Sequence, residues 1–189
     1  PCVYYGDELG MGDWPGLRDR DPNRTPMAWT PDRNGGFSSA PDPFLVLPAI
    51  TTPGYDYRVI NVEVQKQLPG SLLNWHRQML TCRRLLPALR HGDFELLDSN
   101  HPSVIVFTRT IDNMTVLIAA NLSSAGASLS LDLSKWKGAR AREVLWGCEY
   151  PPVGPNWFIY LPSYGFRWWL IGEVGTDDLA EEKIEKVNA

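Results

Sequence analysis

The stretch Cys2-Val3-Tyr4-Tyr5-Gly6-Asp7-Glu8-Leu9-Gly10-Met11 sets how the rest of the chain is read. Residues 2 to 5 form a short apolar, aromatic run that stops at Gly6. A parallel strand covered on both faces has this look, because neither face calls for alternating polar residues. From Gly6 to about residue 70 the chain then shows no periodicity. It is punctuated by Trp14-Pro15-Gly16, Asn34-Gly35-Gly36, Pro41-Asp42-Pro43 and Thr52-Pro53-Gly54. Loops this long inside compact domains are usually functional. This one holds Trp14, Trp29, Phe37, Phe44, Tyr55 and Tyr57, too many aromatic residues for a disordered linker.

A single clear helix follows, from about Ser71 to Leu86. Ser71 suits its N-cap, and Leu72, Trp75, Met79, Cys82 and Leu86 recur at spacings of three and four to make one apolar stripe. Pro87 helps end it. After His91-Gly92 the pattern becomes short apolar runs, read as strands near 93–98, 103–110, 114–122, 127–133, 140–146, 157–161 and 165–171. Turn residues such as Asp112-Asn113 and Ser124 to Gly126 separate them. Short strands at such spacings predict an all-β antiparallel sandwich.

A lone parallel strand and a lone helix cannot bury themselves. Residues 1–90 therefore read as the last βα unit of a (β/α)8 TIM barrel with a long β8–α8 loop, and residues 91–172 as a separate sandwich domain. Residues 173–189 read as a charged tail. A chain that begins inside a strand is expected to be a piece of a longer protein, with the missing N-terminal barrel segment as its partner.

Composition narrows the function. The 189 residues are 43% hydrophobic and 21% charged, ordinary for a globular protein, and a net charge of -4 points to neither nucleic acid nor an anionic membrane. No apolar run is long enough for a transmembrane helix. Cys2, Cys82 and Cys148 are odd in number and far apart, and His76, His91 and His101 do not cluster with them, so neither zinc nor a disulfide framework is expected. A reducing, cytoplasmic setting follows, with no cofactor. Eight Trp suit flat sugar-binding surfaces and suit a large core equally. Two glycosylation-type triplets begin at Asn113 and Asn121 and match by chance often enough to carry little weight.

Chemical side chains concentrate between residues 6 and 37. Asp7, Glu8, Asp13, Asp19, Asp21 and Asp32 alternate there with Arg18, Arg20, Arg24 and Arg33, among Trp14, Trp29 and Phe37. Carboxylates and guanidinium forks bind paired sugar hydroxyls, and aromatic faces stack on the C–H face of a pyranose. A solvated loop with weak local ion pairs has the same composition.

Longer motifs separate these readings. Tyr4-Tyr5-Gly6-Asp7-Glu8-Leu9-Gly10-Met11 resembles the eighth barrel strand and following loop of family 13 of the glycoside hydrolases, the α-amylase superfamily. Arg20-Asp21-Pro22-Asn23-Arg24-Thr25-Pro26-Met27-Ala28-Trp29 resembles the R-x-x-x-R-T-P-M-Q-W signature of its oligo-1,6-glucosidase and trehalose synthase branch, with Ala28 in place of the usual Gln. Trp29 through Ser38, Leu47 to Ile50, Tyr55 to Tyr57 with Val59 to Gln65, and Tyr150 to Gly154 look like the trehalose synthase type.

The resemblance implies a retaining mechanism, with an aspartate nucleophile, a glutamate acid/base and a third, stabilising aspartate after barrel strands four, five and seven. No acidic residue here matches those motifs, so no catalytic residue is assigned, and the isolated chain is expected to be inactive. Arg24 resembles the arginine that helps hold the glucosyl ring beside the scissile bond. Arg20 and Asp21 are expected to shape that loop, and Asp32, Arg33 and Phe37 to line the acceptor side. The implied substrates are maltose and trehalose, or other α-glucosides. An α-glucosidase outcome, or a non-catalytic carbohydrate-binding β-sandwich, stands as the alternative.

Overall fold

The computed structural model describes residues 2–172, which fall into two compact units, Pro1–Met79 and Leu80–Ala189. The tail at 173–189 lies outside the described residues.

In the first unit residues 2 to 5 form no strand, Tyr5 already belongs to a turn, and Val3, Tyr4 and Tyr5 are all exposed. This differs from the expected buried strand. A parallel strand is stabilised by neighbours on both edges, and the described residues supply none. The loop that follows is not structureless. Short 3₁₀ turns at Asp7–Leu9, Asp21–Asn23, Arg33–Gly36 and Asp42–Phe44 punctuate it. Val62 N–H donates to Ala28 O at 3.0 Å and Glu63 N–H to Trp29 O at 3.0 Å, tying the loop to helix α1 (Val62–Gln67).

Helix α1 escaped the sequence reading because it is too short to show periodicity. Its signal was Asn61, whose side-chain oxygen accepts from Val64 N–H at 2.9 Å as an N-cap. Gln65 is buried and joins three segments. Its amide donates to Leu9 O at 2.7 Å and accepts from Leu73 N–H at 2.9 Å. Leu9, Val62 and Leu73 make a small core there, with Met11, Met27 and Ile60 against it.

Helix α2 (Leu72–Leu85) lies where periodicity put it, and Ser71 Oγ accepts from Asn74 N–H at 3.2 Å. Its apolar stripe is uneven: Leu72 and Trp75 are partly exposed, whereas Met79 and Cys82 are buried. Pro87 does stop α2, but by opening a further helix, α3 (Pro87–His91), where a missing N–H costs nothing.

The described residues of the second unit carry eight strands, all paired antiparallel: β1 (Asp93–Leu97), β2 (Val104–Ile111), β3 (Met114–Asn121), β4 (Ala127–Leu131), β5 (Arg140–Glu143), β6 (Glu149–Tyr150), β7 (Trp157–Leu161) and β8 (Phe166–Gly172). Seven match expected runs, and only the two-residue β6 was missed. One sheet has the order β1-β2-β3-β8-β5-β6, and the other is the pair β4-β7. Alternation decides which face is core. In β7 Trp157, Ile159 and Leu161 point inward and Phe158 and Tyr160 outward. Trp169 and Ile171 of β8 and Leu129 and Leu131 of β4 share that core, so the sheets form a sandwich.

Of the paired tryptophans Trp169 is fully buried and Trp168 half-buried. Trp146 is 56% exposed and lies outside the sandwich core. The Arg167 guanidinium lies 4.9 Å from its ring centre and covers one face. Asn121 is buried, with its amide donating to Ala125 O at 2.7 Å and Pro162 O at 2.9 Å. A glycan cannot attach there in the folded chain.

Two buried titratable groups face one another. Burial pushes the Cys82 thiol up to about 12, and the Glu143 carboxylate adds to the rise. Burial likewise raises the Glu143 carboxyl, partly offset by the Trp146 N–H that donates to it at 2.6 Å and by Arg167. A carboxyl raised on folding binds its proton more tightly in the folded chain than in the unfolded one. Its stabilising contribution is complete below the ordinary carboxyl range and is lost as pH rises through the raised value. Glu143→Gln should therefore flatten the fall in stability as pH rises above the ordinary carboxyl range, measured as urea midpoints on both sides of that range. An unchanged slope would assign the pH dependence to other groups.

Candidate functional site

Within the first unit the loop folds around a groove of about 690 Å³, whose lining includes Tyr5, Arg24, Met27, Trp29, Phe37 and Phe44. Arg24 is held there by its backbone. Its N–H donates to Asp21 O at 3.0 Å, closing the 3₁₀ turn that Pro22 begins. The Tyr5 hydroxyl donates to Thr25 O at 2.9 Å and fixes the next residue. Burial raises the Tyr5 phenol above its ordinary range, Tyr4 adds to this, and the Arg24 charge opposes it.

The Arg24 side chain is only loosely engaged. Its Nη1 lies 3.9 Å from Asp21 Oδ1, and both side chains are about half exposed. A pair at that distance in water contributes at most about 1 kcal/mol and leaves most of the guanidinium fork for another partner. Arg20 and Arg24 also line a recess of about 220 Å³ with Tyr4 and Asn23.

The groove wall is apolar. Phe37 is 55% exposed and Phe44 more so, while Trp29 lies about half exposed beside them. Glu8 reaches the groove, but its carboxylate accepts from Gly6 N–H at 2.8 Å and closes its own turn. The groove thus joins one cation to several aromatic faces, a combination that binds a neutral polyol with both polar and C–H faces.

Of the residues singled out in the sequence, the structure brings Arg24 and Phe37 into this groove. Asp21 stands behind Arg24 without lining it. Asp32 accepts from the Thr30 hydroxyl at 3.1 Å, and Arg33 Nε lies 3.5 Å from Asp42 Oδ1; both sit outside the lining as exposed local pairs. Sequence reasoning missed Tyr5, Phe44 and the buried Asn34 as parts of this region. Asp42-Pro43-Phe44 was visible only as a turn. Among the described residues no group of three His, Cys, Asp or Glu side chains is placed to hold a metal, and no helix is long and apolar enough to cross a membrane.

The family pattern "Alpha amylase, catalytic domain" matches residues 1–92, and "Maltogenic Amylase, C-terminal domain" matches residues 94–168. The chain belongs to the α-amylase superfamily. It is 43% identical over 175 residues to the trehalose synthase/amylase TreS of Mycobacterium tuberculosis, covering 90% of this chain and 29% of that protein. With the trehalose synthase of Pimelobacter sp. the identity is 41%, over 93% of this chain and 32% of the relative. The superfamily chain thus spans about a third or less of the curated relatives it matches. Isomaltulose synthase of Erwinia rhapontici superposes with a TM-score of 0.70 at 22% identity, over 90% of this chain and 35% of that one. The trehalulose synthase MutB of Pseudomonas mesoacidophila gives 0.71 at 20%, over 89% and 35%. At those identities the likeness speaks for the fold.

Proposed function

We propose that this chain completes the sugar pocket of an α-glucosyl-transferring enzyme that interconverts maltose and trehalose. The observation that carries the reading is the groove itself. It sets the Arg24 guanidinium against an aromatic wall, in a chain 41–43% identical to trehalose synthases over about nine-tenths of its length. In this reading residues 2 to 5 are the eighth barrel strand, α2 is the eighth barrel helix, and a β domain follows from residue 91.

The division of labour follows from chemistry. Retaining transfer uses a nucleophile and an acid/base about 5–5.5 Å apart, one of which forms a covalent glycosyl-enzyme. The acidic residues of this loop match neither motif, and Asp7, Glu8, Asp21 and Asp32 are engaged in local turns and pairs, so those carboxylates belong to other barrel strands. Arg24 donates to hydroxyls of the glucosyl ring and holds it for attack. Trp29 and Phe37 cover its C–H face and keep water out while the released glucose turns to present its anomeric hydroxyl. Maltose and trehalose are the substrates, no cofactor is involved, and the free, exposed thiols of Cys2 and Cys148 suit a reducing cytoplasm.

An α-glucosidase is the second reading. The chain is also 31% identical to a probable α-glucosidase of Rhizobium meliloti and 32% identical to an oligo-1,6-glucosidase of Heyndrickxia coagulans. Product analysis of the full-length enzyme on maltose separates the two. Trehalose should accumulate with only a minor share of glucose, and the isolated 189-residue chain should show no turnover. Glucose as the sole product would decide for the glucosidase.

A further inference from the structure

Asn34 is a buried amide in the loop that carries Phe37, and neither ligand contact nor core packing accounts for it. It adopts φ 56°, ψ 27°, a left-handed conformation that asparagine tolerates better than most residues. Gly35 and Gly36 continue at φ 66° and 69°, so the chain reverses sharply. The outgoing arm is held by backbone bonds, with Gly35 O accepting from Trp29 N–H at 2.7 Å and Thr30 N–H at 3.0 Å. On the returning arm Phe37 N–H donates to Asn34 O at 3.2 Å, and the Asn34 side-chain amide donates to Ser38 O at 2.9 Å and to Ala40 O at 2.8 Å. Asn34 thus fixes, through its own carbonyl and its side chain, the segment on which Phe37 and Ser38 reach the groove.

We infer that Asn34 is a positioning residue that sets the partition between glucosyl transfer and hydrolysis, by holding Phe37 at the rim of the groove that Arg24 lines. The inference rests on the sugar-site reading above. Transfer succeeds only if the released glucose is retained and water excluded until it re-attacks. Both demands fall on the wall rather than on the carboxylates. A rim that moves by a fraction of an ångström loosens retention while leaving cleavage of the first bond largely intact.

The test compares Asn34→Gly, Asn34→Asp and Phe37→Ala with the parent in the full-length enzyme on maltose. It reads the glucose-to-trehalose product ratio alongside kcat and KM. Glycine keeps the left-handed backbone and removes both donors. Aspartate keeps the shape, but a carboxylate only accepts. Both should raise the glucose-to-trehalose ratio about tenfold, with a smaller change in kcat for maltose consumption. A merely structural residue would instead lower total activity and leave the ratio alone.

If Phe37→Ala raises the ratio and both Asn34 variants keep the parent value, the positioning role is wrong and the groove reading stands. If all three keep it, the wall has no part in retention, and both readings fall. A parent enzyme that releases glucose alone removes the groove's transfer role before any variant is compared. Should one Asn34 variant fail to fold, the other carries the measurement.

Discussion

Replacing Arg24 by alanine in the full-length enzyme is expected to lower kcat/KM for maltose about a hundredfold. A guanidinium that donates one charge-assisted hydrogen bond to a buried sugar hydroxyl contributes about 1.5–3 kcal/mol. Losing about 2.7 kcal/mol of transition-state binding is a factor of about a hundred. Fold stability should hardly move, because the side chain is half exposed and its ion pair with Asp21 is long. Arg24→Lys should recover about tenfold of the loss at most, since a point charge cannot reproduce a planar fork. Steady-state kinetics on maltose check both values. An alanine variant within twofold of the parent would remove Arg24 from the sugar site and leave its pair with Asp21 as a local loop contact.

The largest stability effect should come from the other end of the chain. Trp169→Ala is expected to cost about 3–5 kcal/mol, the usual loss for a large aromatic residue in a core. Trp169 is fully buried in β8 and meets Trp157 of β7 edge-on, with ring centres 5.0 Å apart. Tyr150 packs on it in the same manner at 5.5 Å. The contact with Trp157 joins the six-stranded sheet to the two-stranded one, so the cavity would open between the layers. Trp146→Ala is the matched control. It removes a residue of the same size from an exposed position and should stay within about 0.5 kcal/mol. Urea unfolding of the chain measures both, and a Trp169 loss below about 1 kcal/mol would mean that the two sheets do not depend on this contact.

The sandwich was largely legible in the sequence because its strands alternate and its turns are marked. Trp157-Phe158-Ile159-Tyr160-Leu161 states both the element and the face that it buries. Helix α2 was legible for the same reason, through its stripe and Ser71. The first unit was harder, because its order comes from single side chains rather than from repeating patterns. Gln65 and Asn34 each bond to carbonyls that no spacing rule points to, and α1 is too short to announce itself. Residues 2 to 5 were read from composition as a strand. Composition states a preference for burial but does not supply neighbours, and the described residues leave that segment exposed and unpaired. At the site, long motifs picked out Arg24, whereas Tyr5 and Phe44 join the groove only through the path of the loop. Asp32 and Arg33 shared the site's composition but not its geometry, and both were drawn into local pairs.

The claim on which the rest depends is that the groove lined by Arg24 holds the sugar. A crystal structure of the full-length enzyme with maltose or glucose bound tests it most directly. The Arg24 guanidinium should lie about 2.7–3.2 Å from hydroxyl oxygens of the glucosyl ring, with Phe37 at the rim of the occupied pocket. A sugar bound productively beside the catalytic carboxylates, with Arg24 turned away from it and still paired to Asp21, would contradict the claim.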